Sequence, residues 1–84
     1  MIGHKWRPTS GRFALTAPLA PGVSATLEIL DVSGRRVAAV RGPSGSRLVW
    51  DGKDQAGRPA APGIYLYRME VGKHRKEGRV VVLR

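Results

Sequence analysis

Eight side chains of this 84-residue chain have the types that act as acids, bases or metal ligands: Glu28, Asp31, Asp51, Asp54, Glu70, Glu77, His4 and His74. There is no cysteine, which removes thiolate catalysis, zinc–thiolate sites and a disulfide framework together. Glu28 and Glu70 alternate with apolar residues, which places them on the solvent side of strands. His74 stands between Lys73 and Arg75 with no adjacent carboxylate to orient it, and no serine lies in a nucleophile-elbow context. These residues predict no enzyme, no small-molecule substrate and no cofactor.

The densest group of acids, Asp51-Gly52-Lys53-Asp54-Gln55-Ala56-Gly57, invites comparison with a calcium loop. Such a loop needs oxygen ligands at alternate positions, and here Lys53 and Gln55 stand where the second and third would be. Two carboxylates with a lysine between them do not make the site, so no metal is expected. Asp51 and Asp54 instead have the positions of Asx-turn residues, whose carboxylates accept hydrogen bonds from nearby backbone N–H groups. Gly52 and Gly57 supply the bends, and Trp50 and Tyr65 close the segment with large aromatics that pin it to the core it connects. Residues 50–65 are therefore a self-bonded structural loop between two apolar runs.

The elements around this loop are short and turn-punctuated. Residues 12–16 alternate, with Phe13 and Leu15 on one face; residues 25–30 put Ala25, Leu27 and Ile29 on one face and Thr26 and Glu28 on the other. Asp31-Val32-Ser33-Gly34 reads as a hairpin turn with Gly34 at positive φ, after which residues 35–40 return as a strand. Residues 42–45 turn again and residues 46–50 run into the loop. Beyond it, Tyr65, Tyr67, Met69 and Val71 share a face of residues 63–71, residues 72–74 turn, and residues 75–83 end apolar on both sides, as in a covered strand. Residues 1–11, with Pro8, Ser10 and Gly11, read as an irregular lead-in to one domain over residues 12–84. Six to seven short strands at about ten-residue spacing predict an all-β, antiparallel sandwich or barrel.

The net charge of +9 comes from eleven arginines and four lysines against six acids. A balance of this size suits polyanions, yet the cations are scattered, and no zinc knuckle, helix-turn-helix or RNA-recognition signature accompanies them. Tyr65 and Tyr67 sit on the face expected to be buried, away from any stacked base, so nucleic acid is the weakest of the partners considered. No apolar run approaches the roughly 18 residues of a membrane span, and residues 1–10 contain no signal-peptide h-region.

Three fragments taken in order carry a family resemblance: Leu27-Glu28-Ile29-Leu30-Asp31-Val32-Ser33-Gly34-Arg35-Arg36-Val37; Trp50-Asp51-Gly52-Lys53-Asp54 with Gly57; and Pro62-Gly63-Ile64-Tyr65-x-Tyr67-Arg68. With the basic-then-aliphatic finish Arg79-Val80-Val81-Val82-Leu83-Arg84, the chain resembles the C-terminal sorting domain (type A) of type IX secretion cargo, and the related immunoglobulin-like domain of flagellar hook-capping proteins. The resemblance implies an immunoglobulin-like antiparallel β-sandwich without enzymatic activity. It also implies an address read by the secretion machinery, carried here by Pro62, Gly63, Tyr65, Arg79, Val80, Val81, Val82 and Leu83. On that reading the chain is the tail of a larger secreted or cell-surface protein. The alternatives are a structural interaction module that binds other protein subunits through strand edges, and a basic β-domain binding nucleic acid.

Overall fold

The computed structural model describes the backbone of residues 2–6 and the whole of residues 13–83. Seven strands follow in chain order: β1 (Ile2–Trp6), β2 (Phe13–Thr16), β3 (Ser24–Leu30), β4 (Arg36–Pro43), β5 (Arg47–Trp50), β6 (Gly63–Val71) and β7 (His74–Val82). They form a five-stranded sheet in the order β1-β7-β6-β3-β4 and a two-stranded sheet of β2 and β5. The expected immunoglobulin-like sandwich is present, and every pairing is antiparallel except that of β1 with β7.

The core lies between the sheets and follows from alternation. Ala25, Leu27 and Ile29 of β3 and Tyr67, Met69 and Val71 of β6 turn inward from the large sheet. Phe13, Leu48 and Trp50 meet them from the small one. Phe13 and Tyr67 pack with ring centroids 5.9 Å apart at 51°, within the range of favourable tilted aromatic pairs. Gly78 of β7 is opposite Tyr67, and a Cβ there would overlap the tyrosine ring. The glycine is what allows a full phenol to lie flat under its neighbouring strand.

The sequence expectations need two corrections. Ile2–Trp6 is a strand, paired in parallel with residues 78–82 of β7, where an irregular lead-in was expected. The cause is non-local: without β1, one edge of β7 would present a row of unpaired N–H and C=O groups. Residues 79–83 are also not covered on both faces. Val80 and Val82 are buried, whereas Arg79 is exposed and Val81 only half-buried. The valine run reflects β-branched fitness for a pleated strand as well as burial. Arg12, Pro8, Ser10, Gly11 and Arg84 lie outside the described residues, as do the side chains of His4 and Trp6.

The β3–β4 register skips Val37, passing from Ile29↔Ala38 to Leu30↔Arg36. A bulge of this kind leaves one residue outside the ladder. The Val37 carbonyl accepts the Gln55 N–H at 3.0 Å, which ties β4 to the loop between β5 and β6.

Candidate functional site

The loop from Trp50 to Tyr65 is built on its own donors. Trp50 is almost fully buried, and its indole Nε1 donates to the Lys53 carbonyl at 2.9 Å. Asp51 Oδ1 accepts the Lys53 N–H at 2.9 Å; Asp54 Oδ1 accepts those of Ala56 at 2.9 Å and Arg58 at 3.0 Å. The Ala60 N–H closes back on the Gly52 carbonyl at 2.8 Å, and Lys53 bridges to Pro59. At the far end the Tyr65 hydroxyl donates to the Ala61 carbonyl at 2.6 Å, and the Trp50 and Tyr65 rings meet edge-on at 5.9 Å. Backbone N–H bonds, that of Arg58 foremost, hold the Asp54 carboxyl below its usual range, aided by the Arg58 charge. Burial pushes the Tyr65 phenol up, with a smaller contribution from the Asp31 charge.

The residues carried over from the sorting-domain resemblance are brought to this same end of the sandwich. Gly63 pairs with Val82, Ile64 with Val81, Tyr65 with Val80 and Leu66 with Arg79. Pro62 precedes them as an exposed loop residue and Leu83 follows them, half-buried. Tyr65, Val80 and Val82 face inward, so they serve the core and the loop and present little to a partner. Gly52 is buried, while Asp51 and Gly57 are exposed.

Sequence reasoning gave no role to Ile64 and Leu66. Register places them with Arg79 and Val81 on the outer face of the five-stranded sheet, and Ile64 is 47% exposed there. The signal was an apolar residue at positions 64 and 66, where the alternation that puts Arg68 and Glu70 outward calls for polar ones. Beside this apolar corner a charged row crosses four strands: Arg36 lies 3.7 Å from Glu28, Arg68 3.9 Å from Glu28, and Arg68 3.9 Å from Glu77. A cleft of about 420 Å³ opens round the corner, with Arg35, Arg36, Val37, Arg58 and Tyr65 in its lining.

The geometry offers a surface and fixed turns. Among the described residues, no three His, Asp or Glu side chains come close enough to hold a metal ion, and no helix is long and apolar enough to cross a membrane. The sandwich and its bulge-anchored loop define an immunoglobulin-like domain. Within that class, residues 3–74 match the FlgD Ig-like domain, and the chain belongs to that family. No curated protein matches it. Among solved structures it is similar to PorZ of Porphyromonas gingivalis, described as an essential bacterial surface component of the type-IX secretion system. The TM-score is 0.58 at 23% identity, over 92% of this chain. At that identity the likeness is one of fold, and this chain spans 12% of the length of PorZ.

Proposed function

We propose that the chain is a non-catalytic address or anchor, through which a larger secreted or cell-surface protein engages the type IX secretion machinery. The observation that carries this reading is the pairing of Gly63, Ile64, Tyr65 and Leu66 with Val82, Val81, Val80 and Arg79. It joins both halves of the sorting-like pattern into one surface, with Ile64, Leu66, Val81 and Arg79 directed outward. A small apolar corner rimmed by a cation is what a specific protein contact uses. The fold shared with a type IX secretion component supports the same setting.

The test is to fuse residues 1–84, β1 included, behind an exported reporter in a bacterium with this secretion system. The reporter should reach the surface, and Ile64→Asp with Val81→Asp should strand it in the periplasm. Retention of the unaltered fusion in the periplasm would sink the proposal.

A second reading is favoured by a different observation. Both edges of β7 are occupied, by β1 and β6, whereas β4 is an edge strand of the large sheet. A structural module that pairs another subunit along β4 would leave the β6–β7 surface unused. Under that reading Ile64→Asp is silent and a proline at Ala39, in mid-β4, abolishes assembly.

A further inference from the structure

The two ends of the sandwich differ in charge and in what they expose. Asp31, Asp51 and Asp54, half of the six acids, lie in the loops at the end already described. The opposite end is formed by the 17–23 loop, the 43–46 turn and the β6–β7 hairpin. Lys73, Arg75 and Lys76 are exposed on that hairpin with His74 among them; Arg47 opens β5, and Arg41 lies near the end of β4. Five cations thus share this end with Glu70, which is 4.0 Å from Arg75; Glu77, the acid of β7, is engaged with Arg68.

Leu19 stands beside two of these cations, Arg75 and Lys76, with 76% of its surface exposed, and Val23 is 36% exposed. Looseness of the loop does not account for this. The Ser44 hydroxyl accepts the Ala20 N–H at 2.9 Å and donates to the Ala20 carbonyl at 2.7 Å. The Gly45 N–H donates to the Pro18 carbonyl at 3.0 Å, and the Ala17 N–H to the Ser46 carbonyl at 2.9 Å. The backbone is therefore bonded on both sides of Leu19 while its side chain is held out in water. Next to it a notch of about 200 Å³ is floored by Met69 and Val71 and rimmed by His74, Arg75 and Lys76.

An exposed apolar side chain on a bonded loop, beside cations and backed by an apolar notch, is complementary to a surface that is anionic outside and apolar beneath. We propose that this end of the domain docks onto a bilayer bearing anionic phosphate headgroups, with the cations on the headgroups and Leu19 and Val23 in the interfacial layer. A nucleic acid would use the cations and gain nothing from Leu19, which is why the lipid surface is the better fit. The proposal concerns the end opposite the β6–β7 corner and does not depend on the secretion reading.

Co-sedimentation of the full chain with vesicles tests it, comparing pure phosphatidylcholine with vesicles in which about a third is phosphatidylglycerol. Binding should require the anionic lipid and weaken as salt rises. Leu19→Ser should reduce it about fivefold or more, and Lys73→Glu with Lys76→Glu about tenfold or more, both with an unchanged melting temperature. Three results would overturn the proposal: no binding to anionic vesicles, equal binding to neutral ones, or full binding by Leu19→Ser. Heparin or duplex DNA held as tightly as the vesicles, with no effect of Leu19→Ser, would assign the end to a polyanion instead.

Discussion

Asp31 and Asp54 occupy the same place in two turns of one design. Each donates its backbone N–H to the carbonyl of an arginine four residues on, Arg35 at 2.9 Å and Arg58 at 2.8 Å. Each accepts on Oδ1 the N–H groups two and four residues ahead, Ser33 and Arg35 for one, Ala56 and Arg58 for the other. Each faces that arginine's Nε with Oδ2, at 3.2 Å and 3.6 Å. The third residue after each is a glycine at positive φ, Gly34 at 90° and Gly57 at 83°, where a Cβ would be strained. The chain uses an Asp-x-x-Gly-Arg unit twice, on the two sides of the cleft, and the Val37 bulge joins the two sides through Gln55.

This relationship predicts an acid limb in the stability. The Ser33 hydroxyl first, then the backbone N–H groups of Arg35 and Ser33 and the Arg35 charge, hold the Asp31 carboxyl below its ordinary value; the Arg58 N–H leads for Asp54. Both folded-state values lie below the unfolded one of about 4. The stabilisation is therefore complete above that pH and lost as the pH falls through the folded-state values. Melting temperature followed from pH 7 downward should drop below about pH 4, and Asp31→Asn with Asp54→Asn should flatten that drop. An undiminished drop in the double variant would assign the acid limb to other carboxylates.

Calcium should leave the melting temperature unchanged. The Oδ1 atoms of Asp51 and Asp54 already accept backbone donors, so a cation would have to displace hydrogen bonds that shape the loop. A clear rise on adding calcium, reversed by chelation, would show that the loop reorganises into a site.

Trp50 and Tyr65 hold the loop to the core, and their removal should be costly. Trp50→Ala or Tyr65→Ala is expected to destabilise by about 3–5 kcal/mol, enough to unfold a domain of this size. Tyr65→Phe isolates the hydroxyl bond to Ala61 and should cost only about 0.5–1.5 kcal/mol. Urea denaturation distinguishes these magnitudes, and a Trp50→Ala protein as stable as the parent would remove the loop's claim to be anchored.

The features legible in the sequence are those encoded locally. Tyr65, Tyr67, Met69 and Val71 announce β6 by alternation, and Asp54 with Gly57 announces a turn by residue type. Features set by distant parts of the chain were not legible. Ile2–Trp6 contains Gly3 and shows no clear alternation; it is a strand because β7 offers an edge. The Val37 bulge is visible only once β3 has a register to skip. The outward-facing corner at Ile64 and Val81 was hidden because apolar residues in strands read as core, and only the pairing reveals which face they occupy. The Asp-x-x-Gly-Arg repeat is written in the sequence, but that the Asp31 and Asp54 turns share one hydrogen-bonding pattern shows only in the structure.

The last prediction concerns Gly78 and Tyr67, where a missing side chain on one strand makes room for a ring on the next. Gly78→Ala should destabilise by about 1–3 kcal/mol, because its Cβ overlaps a ring already packed against Phe13 and buried on all sides. The backbone of Gly78 is ordinary strand, so the cost would arise from the overlap and not from conformation. Shrinking the ring should then relieve it: Tyr67→Leu destabilises the parent through lost packing, yet in the Gly78→Ala background it should cost much less, or even stabilise. A double-mutant cycle in urea measures this, with a coupling of at least about 1 kcal/mol expected between the two sites. Additive effects would mean that β7 shifts to admit the methyl group, and that the parallel β1 strand, whose Ile2 pairs with Gly78, moves with it.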